Sequence, residues 1–317
     1  MVELHYHLDG GLRPSTCLDL YKRFYKCEIL PSPFNTIENM KKAMSLDKPE
    51  FDLSKTLEKF EIPLHILQDS FSLERVAYEA VIDLYNDGVD YAEIRFSPQS
   101  HMRKGLTQSE AVDAVLAGIA RGRKETNNQI TVGLILCMMR GGKKEDNLRT
   151  INLAREYRGT CVCGVDLAGD EITYPLYLYM GEIDLCKQLS IPLIVHAGEV
   201  DNKMDLLLAL DLGVRRIGHG TVAMKYPELM QMMKEKDVLV ECCPTSNYKS
   251  GMINSVSDHP IKKFYEYGIK VVACCDDATL MDTTTSKEIT ICKDRIGMNY
   301  LQLNDMERWG EMYRFLK

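Results

Sequence analysis

The sequence predicts a (β/α)8 barrel of the TIM type, carrying one helical insertion after its first strand. Three observations lead there. Eight short apolar runs recur along the chain, at residues 2–9, 89–98, 130–139, 161–169, 191–199, 215–220, 238–245 and 270–277. Each is rich in Val, Ile and Leu through its middle, as strands covered on both faces require. The segments between them are longer and carry helical periodicity, so the strands pair in parallel through right-handed crossovers. The 317 residues, 45% of them hydrophobic, are enough for one such barrel as a single domain over residues 1–317.

The first run reads Val-Glu-Leu-His-Tyr-His-Leu-Asp from Val2 to Asp9. About eighty residues separate it from the second, where one crossover needs about a dozen. The surplus, about residues 29–70, contains Phe51, Leu53, Leu57, Phe60 and Leu64. Long insertions after a barrel strand sit over the C-terminal mouth, so this one is expected to act as a lid. Leu73, Val76, Ala77, Ala80, Val81 and Leu84 then fall at helical spacing, with Gly88 as the stop. Thr107-Gln108-Ser109-Glu110 is a capping box ahead of Val112, Val115 and Ile119. Pro227-Glu228 opens the helix before the seventh run.

Composition excludes several classes. With 39 basic and 46 acidic side chains the formal net charge is -7, a poor surface for phosphate backbones, so no nucleic-acid partner is expected. No apolar stretch approaches the ~20 residues of a spanning helix. The first residues lack a basic and then apolar leader. A cytoplasmic protein with no membrane partner is expected. The eleven cysteines, with adjacent pairs Cys242-Cys243 and Cys274-Cys275, sit largely in apolar runs. They read as small core side chains of a reducing compartment rather than a disulfide framework.

Of seven histidines, four fall at the C-terminal ends of predicted strands: His5 and His7 on the first, His196 on the fifth and His219 on the sixth. Those ends build the active sites of barrels. His5 and His7 share a face, being two residues apart, and the eighth run ends in Asp276-Asp277. Buried polar groups are costly unless partnered. Imidazoles and a carboxylate around one mouth suit a borderline ion such as Zn²⁺ with an open position for water. Gly218-His219-Gly220-Thr221-Val222-Ala223 also matches a dinucleotide fingerprint, with Glu241 about twenty residues further on. It follows five strands instead of opening the fold, so no nicotinamide site is expected. Signatures of zinc proteases, cytidine-type deaminases, P-loop enzymes and serine hydrolases are missing.

Six motifs stand in a telling order: His5-Tyr6-His7-Leu8-Asp9-Gly10, Asp166-Leu167-Ala168-Gly169-Asp170-Glu171, His196-Ala197-Gly198-Glu199, Gly218-His219-Gly220, Cys243-Pro244-Thr245-Ser246-Asn247 and Asp276-Asp277. In these the chain resembles the adenosine deaminase family of the metal-dependent amidohydrolase superfamily, over nearly its whole length. The resemblance implies a barrel enzyme with one Zn²⁺ per chain that converts adenosine, and deoxyadenosine, to inosine and ammonia in purine salvage. It implies that His5, His7, His196 and Asp276 bind the zinc. Glu199 would protonate the purine at N1, and His219 would orient and deprotonate the attacking water. Asp277 would meet N7, the Gly169 N–H would reach N3, Asp9 would hold a ribose hydroxyl, and His7 would also border the small-molecule purine nucleoside.

Val165-Asp166-Leu167-Ala168-Gly169 holds no lysine, which favours one metal over the bridged pair of binuclear relatives. Asp9 and the Leu167–Glu171 stretch look like the adenosine branch. The alternatives are a deaminase of adenine or of an N6- or 5′-modified adenosine, or a catalytically silent nucleoside-binding barrel. Glu93 and Arg95 read as scaffolding and a buried ion pair. Three departures from the family bear on substrate subclass and rate: Cys274-Cys275 before the Asp pair, Ala278 after it with a polar stretch over residues 279–285, and an end soon after Tyr313-Arg314-Phe315.

Overall fold

In the computed structural model, which describes residues 1–26, 34–51 and 53–316, eight strands form one parallel sheet in sequence order. They are β1 (Val2–His7), β2 (Tyr91–Phe96), β3 (Thr131–Met139), β4 (Val162–Ala168), β5 (Leu193–Ala197), β6 (Arg216–His219), β7 (Leu239–Cys242) and β8 (Lys270–Ala273). A parallel bridge between Tyr6 and Asp276 joins β8 back to β1, completing the (β/α)8 barrel. Several strands end earlier than their apolar runs. β4, β5 and β8 stop before Gly169, Gly198 and Asp276, whose φ angles are 111°, 69° and 62°. Left-handed backbone cannot continue a strand, so Gly169, Glu199, Asp276 and Asp277 sit in the turns just beyond, while His5, His7, His196 and His219 lie within the last residues of their strands.

Helices cover the outside as the periodicity predicts. Leu73, Val76, Ala77, Ala80, Val81 and Leu84 are the buried face of helix Ser70–Asn86, and Asp69 caps its start by accepting the Ser72 N–H at 2.8 Å. The capping box of Thr107 and Glu110 opens helix Gln108–Glu125, and Pro227 opens Pro227–Glu235. The insertion contributes helices Ile37–Met44, Leu53–Glu58 and Glu61–Ile66. Residues 29–33 and 52 of it lie outside the described residues, as do the side chains of Leu53 and Ser54. It is tied to the loop after β8: the Leu46 N–H donates to the Leu280 carbonyl at 2.9 Å, and Phe60 packs on Leu46, Leu280 and Met281.

The barrel interior is charged, and not in the way the sequence led one to expect. Glu93 and Arg95 are both fully buried but do not pair with each other. Arg95 reaches Asp166 at 2.8 Å and Glu241 at 2.7 Å. Glu93 pairs with Arg216, which also reaches Glu241 at 2.6 Å. Alternating sign along Glu93, Arg216, Glu241, Arg95 and Asp166 is what makes so many buried charges tolerable. Phe315 closes the floor beneath them. Phe315 lays its ring 4.1 Å from the Arg216 guanidinium, and a Cβ on Gly164 would lie 2.7 Å from that ring, so the bare glycine leaves room for it.

The departures around β8 have local explanations. The Cys275 N–H donates to Glu3 Oε2 at 2.9 Å, and Thr285 donates to the same oxygen at 2.8 Å. Thr283 donates to the buried Glu288, which also accepts the Thr245 N–H at 3.1 Å. The polar stretch thus satisfies two buried carboxyls. Replacing Arg216 by Leu strips Glu93 and Glu241 of a shared partner, and the expected loss of unfolding free energy is about 3–5 kcal/mol. Urea denaturation of the variant measures it; a loss below about 1 kcal/mol would show the network to be dispensable.

Candidate active site

The mouth is assembled across the seam between β1 and β8. The His7 N–H donates to the Asp276 carbonyl at 3.0 Å and the Asp276 N–H donates to the His5 carbonyl at 2.8 Å. These bonds bring Asp276 level with the two histidines of β1, while β5 delivers His196. His7 Nε2 lies 3.3 Å from both His5 Nε2 and His196 Nε2. Asp276 Oδ1 lies 3.3 Å from His5 Nε2 and 3.4 Å from His7 Nε2.

Whether these residues fit a metal can be judged from their protons. His5 Nδ1 donates to Glu241 Oε2 at 2.8 Å and His196 Nδ1 donates to Asp166 Oδ1 at 3.1 Å. With Nδ1 committed in both rings, their Nε2 atoms are the ones turned toward His7 Nε2; Asp276 and Glu241 hold His5 up to about 9, so its Nε2 offers a lone pair only once a cation takes the place of that proton. Burial holds His7 well below its ordinary pKa and also lowers His196, which keeps both uncharged. Converging lone pairs repel unless a cation lies between them. Ligands at the usual zinc distances stand about 3.3 Å apart in a tetrahedral shell, which matches the spacing seen. The donor set fits Zn²⁺. Ser246 steadies the fourth member by donating to Asp276 Oδ2 at 2.7 Å.

Beside this cluster a chamber of about 70 Å³ is bordered by Glu199, His219 and Asp277. It adjoins an outer chamber of about 240 Å³ bordered by Asp9, Phe60, Leu64 and Phe96. His7, Leu57, Phe60 and Gly169 line both. Eight of the nine residues singled out from the sequence therefore border these adjoining chambers, and the ninth, His5, is fully buried behind them with its Nε2 3.3 Å from His7 Nε2. Burial, with the charges of Asp276 and Glu171 adding to it, pushes the Glu199 carboxyl up to about 8. The same burial, with Asp276 and Glu199 beside it, raises Asp277 far above the usual carboxylate range. Asp276 goes the other way: its burial is outweighed by the facing histidines, and it stays ionised. Gly10 is packed so closely that a Cβ there would overlap the Asp277 carboxyl.

Several residues that matter here carried no sequence assignment of their own. Glu241 and Asp166 orient His5 and His196 from inside the barrel. Glu171 accepts the Gly198 N–H at 2.7 Å and the Glu199 N–H at 3.2 Å, fixing the turn that presents Glu199. Carboxylates in the middle of apolar strands were the available signal, since such groups need partners. A larger cleft, about 440 Å³, lies away from the mouth beside helix Pro14–Tyr25. Arg13 there is paired with Asp83 at 2.6 Å and Lys41 with Asp282 at 2.8 Å.

A family model described as adenosine deaminase matches residues 1–316. The chain belongs to the adenosine deaminase family. An adenosine deaminase of Enterococcus faecalis is 36% identical over 307 residues, covering 97% of this chain and 89% of that relative. Among solved structures, the N6-methyl-AMP deaminase of Arabidopsis thaliana aligns with a TM-score of 0.87 at 24% identity, covering 100% of this chain and 92% of that one. An amidohydrolase of Burkhoderia ambifaria, solved with bound Zn, aligns with a TM-score of 0.88 at 21% identity, covering 100% and 85%. These structural likenesses show the shared barrel. As a member of the adenosine deaminase family the protein is an aminohydrolase, an enzyme of metal-dependent fold.

Ser246 offers a clean test of the donor set, because it touches Asp276 without entering the arginine network. Ser246→Ala is expected to weaken zinc binding about 10-fold or more, with the melting temperature of metal-free protein little changed. Competition against a chelator measures the affinity, and an unchanged value would remove Ser246 from the metal's support.

Proposed function

We propose that the protein hydrolyses the 6-amino group of adenosine and deoxyadenosine, giving the corresponding inosine and ammonia, with one Zn²⁺ per chain. The observation that carries this reading is the Glu199 carboxyl, largely enclosed and pushed up to about 8, beside a four-donor cluster in a chamber that adjoins a second, larger one. His5, His7, His196 and Asp276 would hold the zinc. A zinc ion so held lowers the pKa of water from 15.7 to about 7.

The chain's own residues supply the rest. Attack at C6 drives electron density onto N1, and Glu199, protonated at neutral pH, donates its proton there. His219 orients the attacking water. N7 is an acceptor, so the carboxyl that meets it must carry a proton, and Asp277 is held in that form by burial beside Asp276. The Gly169 N–H, at the turn after β4, meets N3. Asp9 holds a ribose hydroxyl, and His7 borders both chambers. Leu57, Phe60 and Leu64 make the insertion a lid that keeps water from the bound purine. The chain works as one barrel domain with that lid. A cytoplasmic role in purine salvage is consistent with the ten described cysteines all being free, and no described helix is long and apolar enough to cross a membrane.

The outer chamber favours the nucleoside over its 5′-phosphate. Its charged lining is Asp9, Glu61, Asp170 and Arg140, and Arg140 is already committed to Asp205 at 2.9 Å. A phosphate would meet carboxylates, which costs several kcal/mol. AMP should therefore be turned over with kcat/KM at least about 10²-fold below adenosine. Parallel assays of the two decide it, and preference for AMP would move the substrate class. Glu199→Gln removes the donated proton while keeping the shape. Its kcat for adenosine should fall by about 10²-fold or more with binding of inosine retained; turnover at the original rate would end the assignment of Glu199 as the acid.

A further inference from the structure

We propose that His259 and Asn247 are positioning residues that fix which ring nitrogen of His219 carries the proton. The inference rests on the deaminase reading for its catalytic consequence, but its geometry stands apart. The backbone N–H of Ile261 points at His259 Nδ1, 3.2 Å away, so that nitrogen accepts. Burial drives His259 down to about 3, and the ring is neutral, with its proton on Nε2.

That proton sets the next group. His259 Nε2 lies 3.1 Å from Asn247 Oδ1 and donates to it. An amide's two ends are told apart by their partners, so the Asn247 NH₂ must face the other way. It does so toward His219 Nδ1 at 3.1 Å. Nδ1 of His219 accepts, and the proton of the neutral imidazole is left on Nε2. All three side chains are buried, so water cannot compete for these positions. The relay also joins separate elements: Asn247 sits on helix Pro244–Lys249 after β7, and His259 precedes helix Ile261–Tyr267 before β8.

The consequence lies at the mouth. His219 Nε2 faces the inner chamber, 3.7 Å from Glu199 Oε2 and 3.9 Å from Asp276 Oδ2. With a proton there, His219 holds the attacking water by donating to its oxygen, and the resting ring is not poised to take a proton from it. The same proton keeps His219 from serving as a metal ligand, although its ring lies close enough to His5 and Asp276 to complete a possible trio. Its role therefore differs from the deprotonation inferred from sequence, and the difference is set by two residues outside the chamber.

Ring ¹⁵N NMR of the zinc-loaded protein tests this, with the His219 signals assigned by their loss in His219→Asn. The wild type should show His219 with an unprotonated Nδ1 and a protonated Nε2. Asn247→Asp replaces the donor by an acceptor and should reverse that pattern. His259→Phe frees the amide to turn and should give a mixture. In both, kcat should fall by about 10²-fold with KM little changed, and His259→Gln, which can still accept from Ile261 and donate to Asn247, should rescue the tautomer and most of the rate lost in His259→Phe. A proton on Nδ1 in the wild type would overturn the proposal, and that spectrum suffices even if a variant fails to fold. So would an unaltered tautomer in Asn247→Asp. The spectra need no substrate, so inactivity toward adenosine would refute the deaminase reading without touching this result.

Discussion

Two backbone hydrogen bonds across the β1–β8 seam carry the site. They are where the barrel closes, and they are also where His5, His7 and Asp276 come level. Fold closure and the donor cluster are thus one event. A slip of one residue on either strand would turn alternate side chains to the other face and separate the donor atoms. The left-handed backbone of Asp276, at φ 62°, is the local strain that this closure sustains.

From that seam downward the structure alternates charge. His5 leans on Glu241, Glu241 on Arg216 and Arg95, and Arg216 on Glu93 and the ring of Phe315. Each buried group is acceptable only because the next is present, since an unpaired buried charge costs far more than a hydrogen bond returns. The same logic, run upward, separates the carboxyls at the mouth. Asp276 is held ionised by the imidazoles around it, while Glu199 and Asp277, enclosed beside its negative charge, are pushed up. Carboxyls pushed apart in this way are the pattern from which acid roles are read.

Much of this was legible in the sequence, for reasons that can be named. Eight apolar runs, the Thr107 capping box and the Leu73–Leu84 periodicity are local signals, and local signals survive folding. Histidines at the ends of apolar strands are conspicuous because such positions rarely hold polar groups without cause. The roles of Glu241 and Asp166 were hidden, because nothing in a strand's sequence says which residue on the opposite side of a barrel it will meet. Arg95 was matched with the wrong acid for the same reason. The Gly218–Ala223 fingerprint fails in three dimensions: Gly220 turns left-handed at φ 61° and leads only into the short 3-10 turn Thr221–Lys225, with no long helix whose N-terminus could hold a pyrophosphate. Asn247 stood inside one of the six motifs without a role of its own, and His259 had no signal beyond being polar, since their meaning lies in a chain of donors running between loops.

The measurement that reaches the central claim most directly is ammonia release from adenosine by folded, zinc-loaded protein, followed together with inosine formation. The account predicts rapid turnover with one ammonia per inosine, and the same from deoxyadenosine. Silence toward both nucleosides from protein shown to hold one zinc per chain would contradict it, and would mean that this mouth, despite its donor set and its protonated carboxyls, serves another substrate.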